Sequence, residues 1–226
     1  MRFVYHSLAK EPTLKIEGES YTHLYRSRRV KNASLLDLRN LKDKFLYTYK
    51  HIEITKKYAL LELIEQKELE VIPSKKAHLI LSVIELKSIE KILPFLNQLG
   101  VSKLSLFYAD FSQHNERLDS AKMERFEKIL INSCEQCGRS DLMELEVLKN
   151  LEEVLIAYPK ASVLDFNGEK LQTSLNAENG IIIGPEGGFS EQEREQFKKH
   201  RIYSAPMPMV LKSESACVFV ASLAQV

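Results

Sequence analysis

Gly180-Ile181-Ile182-Ile183-Gly184-Pro185-Glu186-Gly187-Gly188-Phe189-Ser190 decides how the rest of the chain is read. The three isoleucines make an apolar run short enough for a strand buried on both faces of a sheet. Gly184, Gly187 and Gly188 fall within five residues, so the backbone beyond the strand can take positive φ and let a ligand approach closely. Ser190 with Glu193 three residues on is a capping box, the opening of a helix. Strand, glycine bend and capped helix form the repeating unit of an open α/β sheet, and such sheets bind ligands at the carboxyl ends of their strands. The bend is neither GxxxxGK[ST] nor GxGxxG, so the phosphate and dinucleotide signatures are missing. Glu186 would also repel a phosphate placed beside it, which suits a neutral or cationic ligand better. The competing reading is a tight turn with no ligand.

Upstream of this stretch, strand and helix patterns alternate. Leu79 to Ile84 and Leu104 to Phe107 read as buried strands, and Ser162 to Phe166 as another. Helical spacing runs over Ser88–Leu99, Asp119–Gln136 and Leu151–Tyr158, with Pro94 predicting a kink or an early turn in the first. Residues 73–226 are therefore expected to form a mostly parallel α/β sheet with helices on both faces. Residues 1–72 differ: Phe3–Tyr5, Leu35–Leu38, Lys44–Tyr49 and Tyr58–Leu63 are short, with two-residue alternation in several, as in a small half-buried β-barrel. Val71-Ile72-Pro73-Ser74-Lys75-Lys76 reads as a linker, and the division is placed after residue 72.

Charge follows the same division. The 226 residues carry a net +1, yet residues 1–77 hold 16 Lys and Arg against 10 Asp and Glu, and residues 78–226 hold 16 against 21. A basic module on a more acidic body points to a polyanionic partner. The basic residues are densest at His23, Arg26, Arg28, Arg29 and Lys31, with Tyr25 interleaved, a composition suited to RNA phosphates and base stacking. A solvated surface turn would look similar. The longest stretch without Asp, Glu, Lys or Arg is Ser215–Val226, 12 residues, too short for a membrane span of about 18. The N-terminus lacks the apolar core of a signal peptide, and three cysteines cannot build a disulfide framework, so a cytoplasmic location is expected.

A second segment, Pro206-Met207-Pro208-Met209-Val210-Leu211-Lys212-Ser213-Glu214-Ser215-Ala216, leads from a strand into a last helix starting at Ser213 or Glu214. Such an apolar loop could wall an adenine, or simply pack the core. Cys134-Glu135-Gln136-Cys137 is a single CxxC at a helix C-terminus, lacking the further ligands that zinc requires. The six histidines show no HExxH spacing, and GxSxG is absent. No metal is expected.

Ile181 to Glu193, followed by Met209 to Ala216, resembles the paired signature of the ribosomal RNA small subunit methyltransferase E family, members of the SPOUT class. Met209 and Lys212 stand where the family usually has arginines, Ser215 where it has threonine, and Met207 where it has glycine. Cys134 to Ser140 is similar to the family's E-Q-[SC]-x-R stretch, whereas Asp110 to Asn115 departs from its E-R-S pattern. The resemblance implies a PUA-like, OB-like N-terminal barrel for RNA and a SPOUT α/β knot, working as a homodimer. It implies S-adenosyl-L-methionine as cofactor and methylation of N3 of a uridine in small-subunit (16S) ribosomal RNA, in the free RNA or the assembled subunit. Under it, Leu164, Gly184, Pro185, Gly187, Gly188, Met207, Met209, Val210, Leu211 and Ser213 would hold the cofactor.

N3 of uridine carries a proton and lies on the pairing edge, so the base must be unpaired and deprotonated. Glu186 or Glu214 would assist deprotonation or orient the base, and Arg139 or Lys212 would stabilise the developing anion. Glu214 could instead serve only its helix terminus. The rival readings are a non-catalytic RNA-binding or ribosome-assembly protein, a SPOUT methyltransferase acting on another RNA, and a nucleotide-dependent enzyme.

Overall fold

In a computed structural model, residues 2–27, 35–171 and 174–226 are described. The chain divides into two compact units: residues up to Ile72 together with Cys134–Leu142, and Pro73–Ser133 together with Met143–Val226. The first unit thus takes in Cys134–Leu142, which a single division after residue 72 leaves with the second.

The first unit is a five-stranded sheet in the order β1-β3-β4-β5-β2, built from β1 (Val4–Tyr5), β2 (Thr13–Glu17), β3 (Leu36–Arg39), β4 (Phe45–Ile54) and β5 (Tyr58–Glu68). In β2, Leu14 and Ile16 are buried while Thr13, Lys15 and Glu17 are exposed, so one face of the sheet builds the core. Tyr47, Tyr49, Leu38 and Leu61 complete that core. Among the described residues β1 and β2 remain the two ends of the sheet, so the expected barrel is a curled half-barrel. Its strands are also longer than alternation suggests, because register shifts let β4 and β5 stay paired past Thr48 and His51.

The second unit carries a six-stranded, wholly parallel sheet in the order β11-β9-β10-β6-β7-β8. Its strands are β6 (His78–Ser82), β7 (Lys103–Phe107), β8 (Glu144–Val147), β9 (Ser162–Lys170), β10 (Ile181–Ile183) and β11 (Ile202–Ser204). The helices are α2 (Leu86–Gln98), α3 (Ser120–Cys137, whose last four residues count with the first unit), α4 (Leu151–Ala157), α5 (Glu191–Gln196) and α6 (Ser213–Ala224); the short α1 (Gly18–Tyr21) belongs to the first unit. Pro94 lies inside α2, past its first turn. The Ile181–Ile183 run sits centrally, pairing with Leu79–Leu81 on one side and Ser162–Leu164 on the other. Ile182, Ile80 and Val163 share one face and pack with Leu151, Val154, Phe189 and Phe197. α6 and α2 pack against each other, and α6 against β6 and β10. No described helix is long and apolar enough to cross a membrane.

A partly buried polar chain crosses β6, β7 and β8. Ser105 Oγ donates to Glu146 Oε2 at 2.6 Å, and Tyr158 Oη donates to the same oxygen at 2.6 Å. That leaves Ser105 Oγ to accept from His78 Nε2, 2.8 Å away. Burial, helped by the Lys103 charge, depresses the His78 imidazole to about 4. The unfolded chain then takes up this proton near pH 6.5 and the folded chain does not, so stability falls as pH drops from 6.5 towards 4. The expected cost is roughly 3 kcal/mol. Urea midpoints measured across that window should fall less steeply for His78→Gln than for the unsubstituted chain; parallel slopes would refute the assignment.

Candidate functional site

The register between β9 and β11 jumps: Ile202 pairs with Val163, but Tyr203 pairs with Glu169. The residues between are released from that ladder, and Leu164, Asp165 and Phe166 face a cavity at the carboxyl end of the sheet. The cavity, about 200 Å³, is closed by the bend after β10 and by the segment joining β11 to α6. These two segments are bound directly: Ser213 Oγ donates to the Gly184 carbonyl at 2.8 Å.

The bend is braced from several directions. Gly188 N donates to the Pro185 carbonyl at 2.9 Å and takes φ +72°, the conformation that favours glycine. Ser190 caps α5, its Oγ accepting from Glu193 N while Glu193 Oε2 accepts from Ser190 N, so the capping box is formed. Glu193 Oε1 also accepts from Asp110 N at 3.0 Å, and Ser190 Oγ lies 2.5 Å from Asp110 Oδ2. Asp110, in the segment that departs from the family pattern, thus anchors the helix cap.

Of the residues expected to hold a ligand, Leu164, Gly184, Pro185, Gly188, Met207, Met209, Val210, Leu211 and Ser213 line the cavity, as does Glu186. Gly187 does not; a Cβ there would stand 3.2 Å from Phe111 Cβ, so this glycine admits Phe111. Lys212 is exposed at the N-cap of α6, without a side-chain cap bond, and Glu214 follows in the first turn; neither lines the cavity. Arg139 belongs to the first unit, where it is buried and ion-paired with Asp141 at 2.7 Å. Its neighbours there have fastening roles: Glu135 Oε1 accepts from Tyr5 N at 2.7 Å, and Ser140 Oγ from Val71 N at 2.9 Å.

Asp165 and Phe166 are functional candidates that sequence reading missed. An acid directly after the apolar pair Val163-Leu164, where the pairing of β9 with β10 ends, is the signal that points to Asp165. Its carboxylate is nearly buried and held by Arg194, Nε to Oδ2 2.7 Å and Nη2 to Oδ1 3.3 Å. The cavity lining carries two carboxylates, Asp165 and Glu186, and no lysine or arginine among the described residues. With Asp165 paired to Arg194, the negative charge of the lining comes chiefly from Glu186, which disfavours a triphosphate. Among the described residues no group of three or more His, Cys, Asp or Glu is placed to hold a metal ion.

Of the basic cluster, His23 and Arg26 are exposed on the first unit, in a π-helical turn Thr22–Ser27, and Arg26 Nη2 reaches the Lys56 carbonyl. Arg28, Arg29 and Lys31 lie outside the described residues. Tyr25, expected to offer a face to bases, is half-buried against the core, stacked on Tyr21 at 4.9 Å and bonded to His51 Nε2 at 2.8 Å.

Replacing Ser213 by alanine should cost one interior hydrogen bond, about 1 kcal/mol, and loosen the join between the two segments. Calorimetric affinity for S-adenosyl-L-methionine is expected to fall about fivefold; an unchanged affinity would show that this bond does not hold the pocket together.

Residues 72–225 match the RNA methyltransferase domain family and residues 16–64 the RNA methyltransferase PUA domain family. The chain is 76% identical, over 226 residues and the whole of both chains, to the ribosomal RNA small subunit methyltransferase E of Helicobacter pylori strain 26695. It shares its fold with a Legionella pneumophila protein solved with bound S-adenosylmethionine (TM-score 0.84, 23% identity, 98% of this chain and 95% of that one). It shares it also with the Neisseria gonorrhoeae ribosomal RNA small subunit methyltransferase E bound to S-adenosylmethionine (TM-score 0.80, 20% identity, 98% and 95%).

Proposed function

The chain belongs to the ribosomal RNA small subunit methyltransferase E family, and from that premise we propose that it methylates N3 of one uridine in small-subunit (16S) ribosomal RNA. The observation that carries the reading is the Ser213–Gly184 bond, which joins the two signature segments around one pocket. The pocket fits S-adenosyl-L-methionine: an apolar wall from Met207, Val210 and Leu211, glycine backbone for close approach, and the Glu186 carboxylate in the lining for a cationic ligand. When bound, that cofactor supplies an activated methyl group on a sulfonium, so the protein's task is alignment and proton removal.

Glu186 lines the pocket from an exposed turn and is the group we assign to orient the uracil or take its N3 proton. Lys212, exposed beside the pocket segment, is assigned to the negative charge that develops on the base. Glu214, in the first turn of α6, is assigned to the electrostatics of that helix terminus. Arg139, buried on Asp141, is assigned to packing of the first unit. His23, Arg26, Arg28, Arg29 and Lys31 would hold RNA phosphates, with affinity that falls as salt rises. The homodimer, the knot formed where the Met207–Ser213 segment meets the glycine bend, and a cytoplasmic location follow from the family resemblance and belong to the same proposal.

Lys212→Ala should lower kcat about tenfold while leaving S-adenosyl-L-methionine affinity unchanged; turnover within twofold of the unsubstituted enzyme removes Lys212 from the mechanism. The function itself is tested with purified protein, labelled cofactor and small subunits lacking the modification. Mass spectrometry should locate one N3-methyluridine. No methyl transfer, or transfer only to other RNA, would overturn the proposal.

A further inference from the structure

Two phenylalanine rings flank the glycine bend, and both are more than half exposed, Phe166 at 64% and Phe111 at 54%. Phe111 packs on Gly187, outside the cavity lining, whereas Phe166 lines the cavity and comes within 4.0 Å of where a Cβ on Gly188 would stand. Single exposed apolar side chains are common on protein surfaces; what distinguishes Phe166 is its place in the lining of the pocket that also holds Glu186.

The backbone that carries Phe166 is fastened: its N–H donates to Asp165 Oδ1 at 2.9 Å, and that carboxylate is clamped by Arg194. The register jump between β9 and β11 is what turns this dipeptide out of the ladder and towards the pocket. The ring is therefore presented from a fixed backbone into the same cavity that Glu186 lines.

A uridine that offers N3 to a methyl donor has left its own stack and lost its pairing partner, at a cost of a few kcal/mol. Single-stranded bases recover much of this by stacking on aromatic faces. On the proposed function, and resting on it, we propose that Phe166 is the platform on which the extruded uracil stacks, so that its N3 edge is turned towards Glu186 and the donor pocket. Phe166 is a base-positioning residue; proton removal stays with Glu186.

The test compares Phe166→Leu, Phe166→Trp and Phe111→Leu with the unsubstituted enzyme on small subunits lacking the modification. Leucine keeps apolar bulk and removes the π face; tryptophan enlarges it. Phe166→Leu should lower kcat/KM for the subunit at least about tenfold, Phe166→Trp should stay within about threefold, and Phe111→Leu should match the unsubstituted enzyme. Calorimetric affinity for S-adenosyl-L-methionine should change less than twofold in all three. The proposal is overturned if Phe166→Leu is as active as Phe166→Trp, or if its loss is matched by an equal loss of cofactor affinity, which would make the ring part of the cofactor wall. Failure of the unsubstituted enzyme to methylate would instead refute the proposed function. Because the chain contains no tryptophan, Phe166→Trp also places a single tryptophan at the site, which can be excited selectively over the nine tyrosines. Its emission should be quenched by a saturating uridine-containing oligonucleotide and not by the same oligonucleotide with that base removed; equal quenching by both would count against stacking.

Discussion

Gly168→Ala is expected to destabilise the second unit by about 3 kcal/mol and to abolish cofactor binding well below its melting temperature. A Cβ at this position would lie 2.4 Å from the Tyr203 carbonyl carbon and 2.6 Å from the Ile202 carbonyl oxygen. Both are backbone atoms of β11, so neither can rotate away. Gly168 sits inside the register jump, and its carbonyl accepts from Ser204 Oγ at 2.9 Å. Relief requires β11 to move off β9. β11 leads directly into the segment that carries Met207 to Leu211, so the pocket wall moves with the strand. Thermal unfolding should shift by roughly 10 °C, and calorimetry at 20 °C should detect no S-adenosyl-L-methionine binding. An alanine variant that binds the cofactor normally would mean the register jump does not set the pocket.

Gly184→Val separates the pocket from the fold. A Cβ here would stand 3.0 Å from Phe189 Cε2 and 3.2 Å from Cζ, closer than most packed contacts. Phe189 is buried against Phe197 with ring centroids 4.8 Å apart, so the ring has little room to retreat. The bend must yield instead, and Gly184 is the residue whose carbonyl holds Ser213. The two methyls of valine add bulk within a lining that already includes this backbone. Cofactor affinity is expected to fall about a hundredfold, roughly 3 kcal/mol, with a melting temperature only a few degrees lower. Affinity within threefold of the unsubstituted protein would remove the bend from the binding site.

These two glycines differ in how far the sequence made them legible. Gly184 was plain, because glycines clustered between an isoleucine run and a capping box mark a bend whose backbone must turn sharply or be approached closely. Gly168 was not: a lone glycine near a strand end signals only a bulge or a close approach, and the backbone it meets lies over thirty residues away. The same limit hid Phe166, which reads as one more strand hydrophobe until the register jump is seen. β8 was missed because Glu144-Leu145-Glu146-Val147 is an edge strand with charges on alternate positions, a pattern edges favour. Tyr25 and Arg139 erred the other way. Their residue types suit RNA and anions, but each is taken up inside the first unit, Tyr25 by stacking on Tyr21 and bonding to His51, and Arg139 by Asp141. Composition names the chemistry a side chain can do; only packing decides whether it is free to do it.

The most direct measurement is a crystal structure of the protein grown with saturating S-adenosyl-L-methionine. Density for the cofactor is predicted between Gly184–Gly188 and Met207–Ser213, with its cationic end towards Asp165 or Glu186 and with the Ser213–Gly184 bond intact. A cofactor seated elsewhere, or those two segments lying apart with nothing bound between them, would contradict the proposed function at its root.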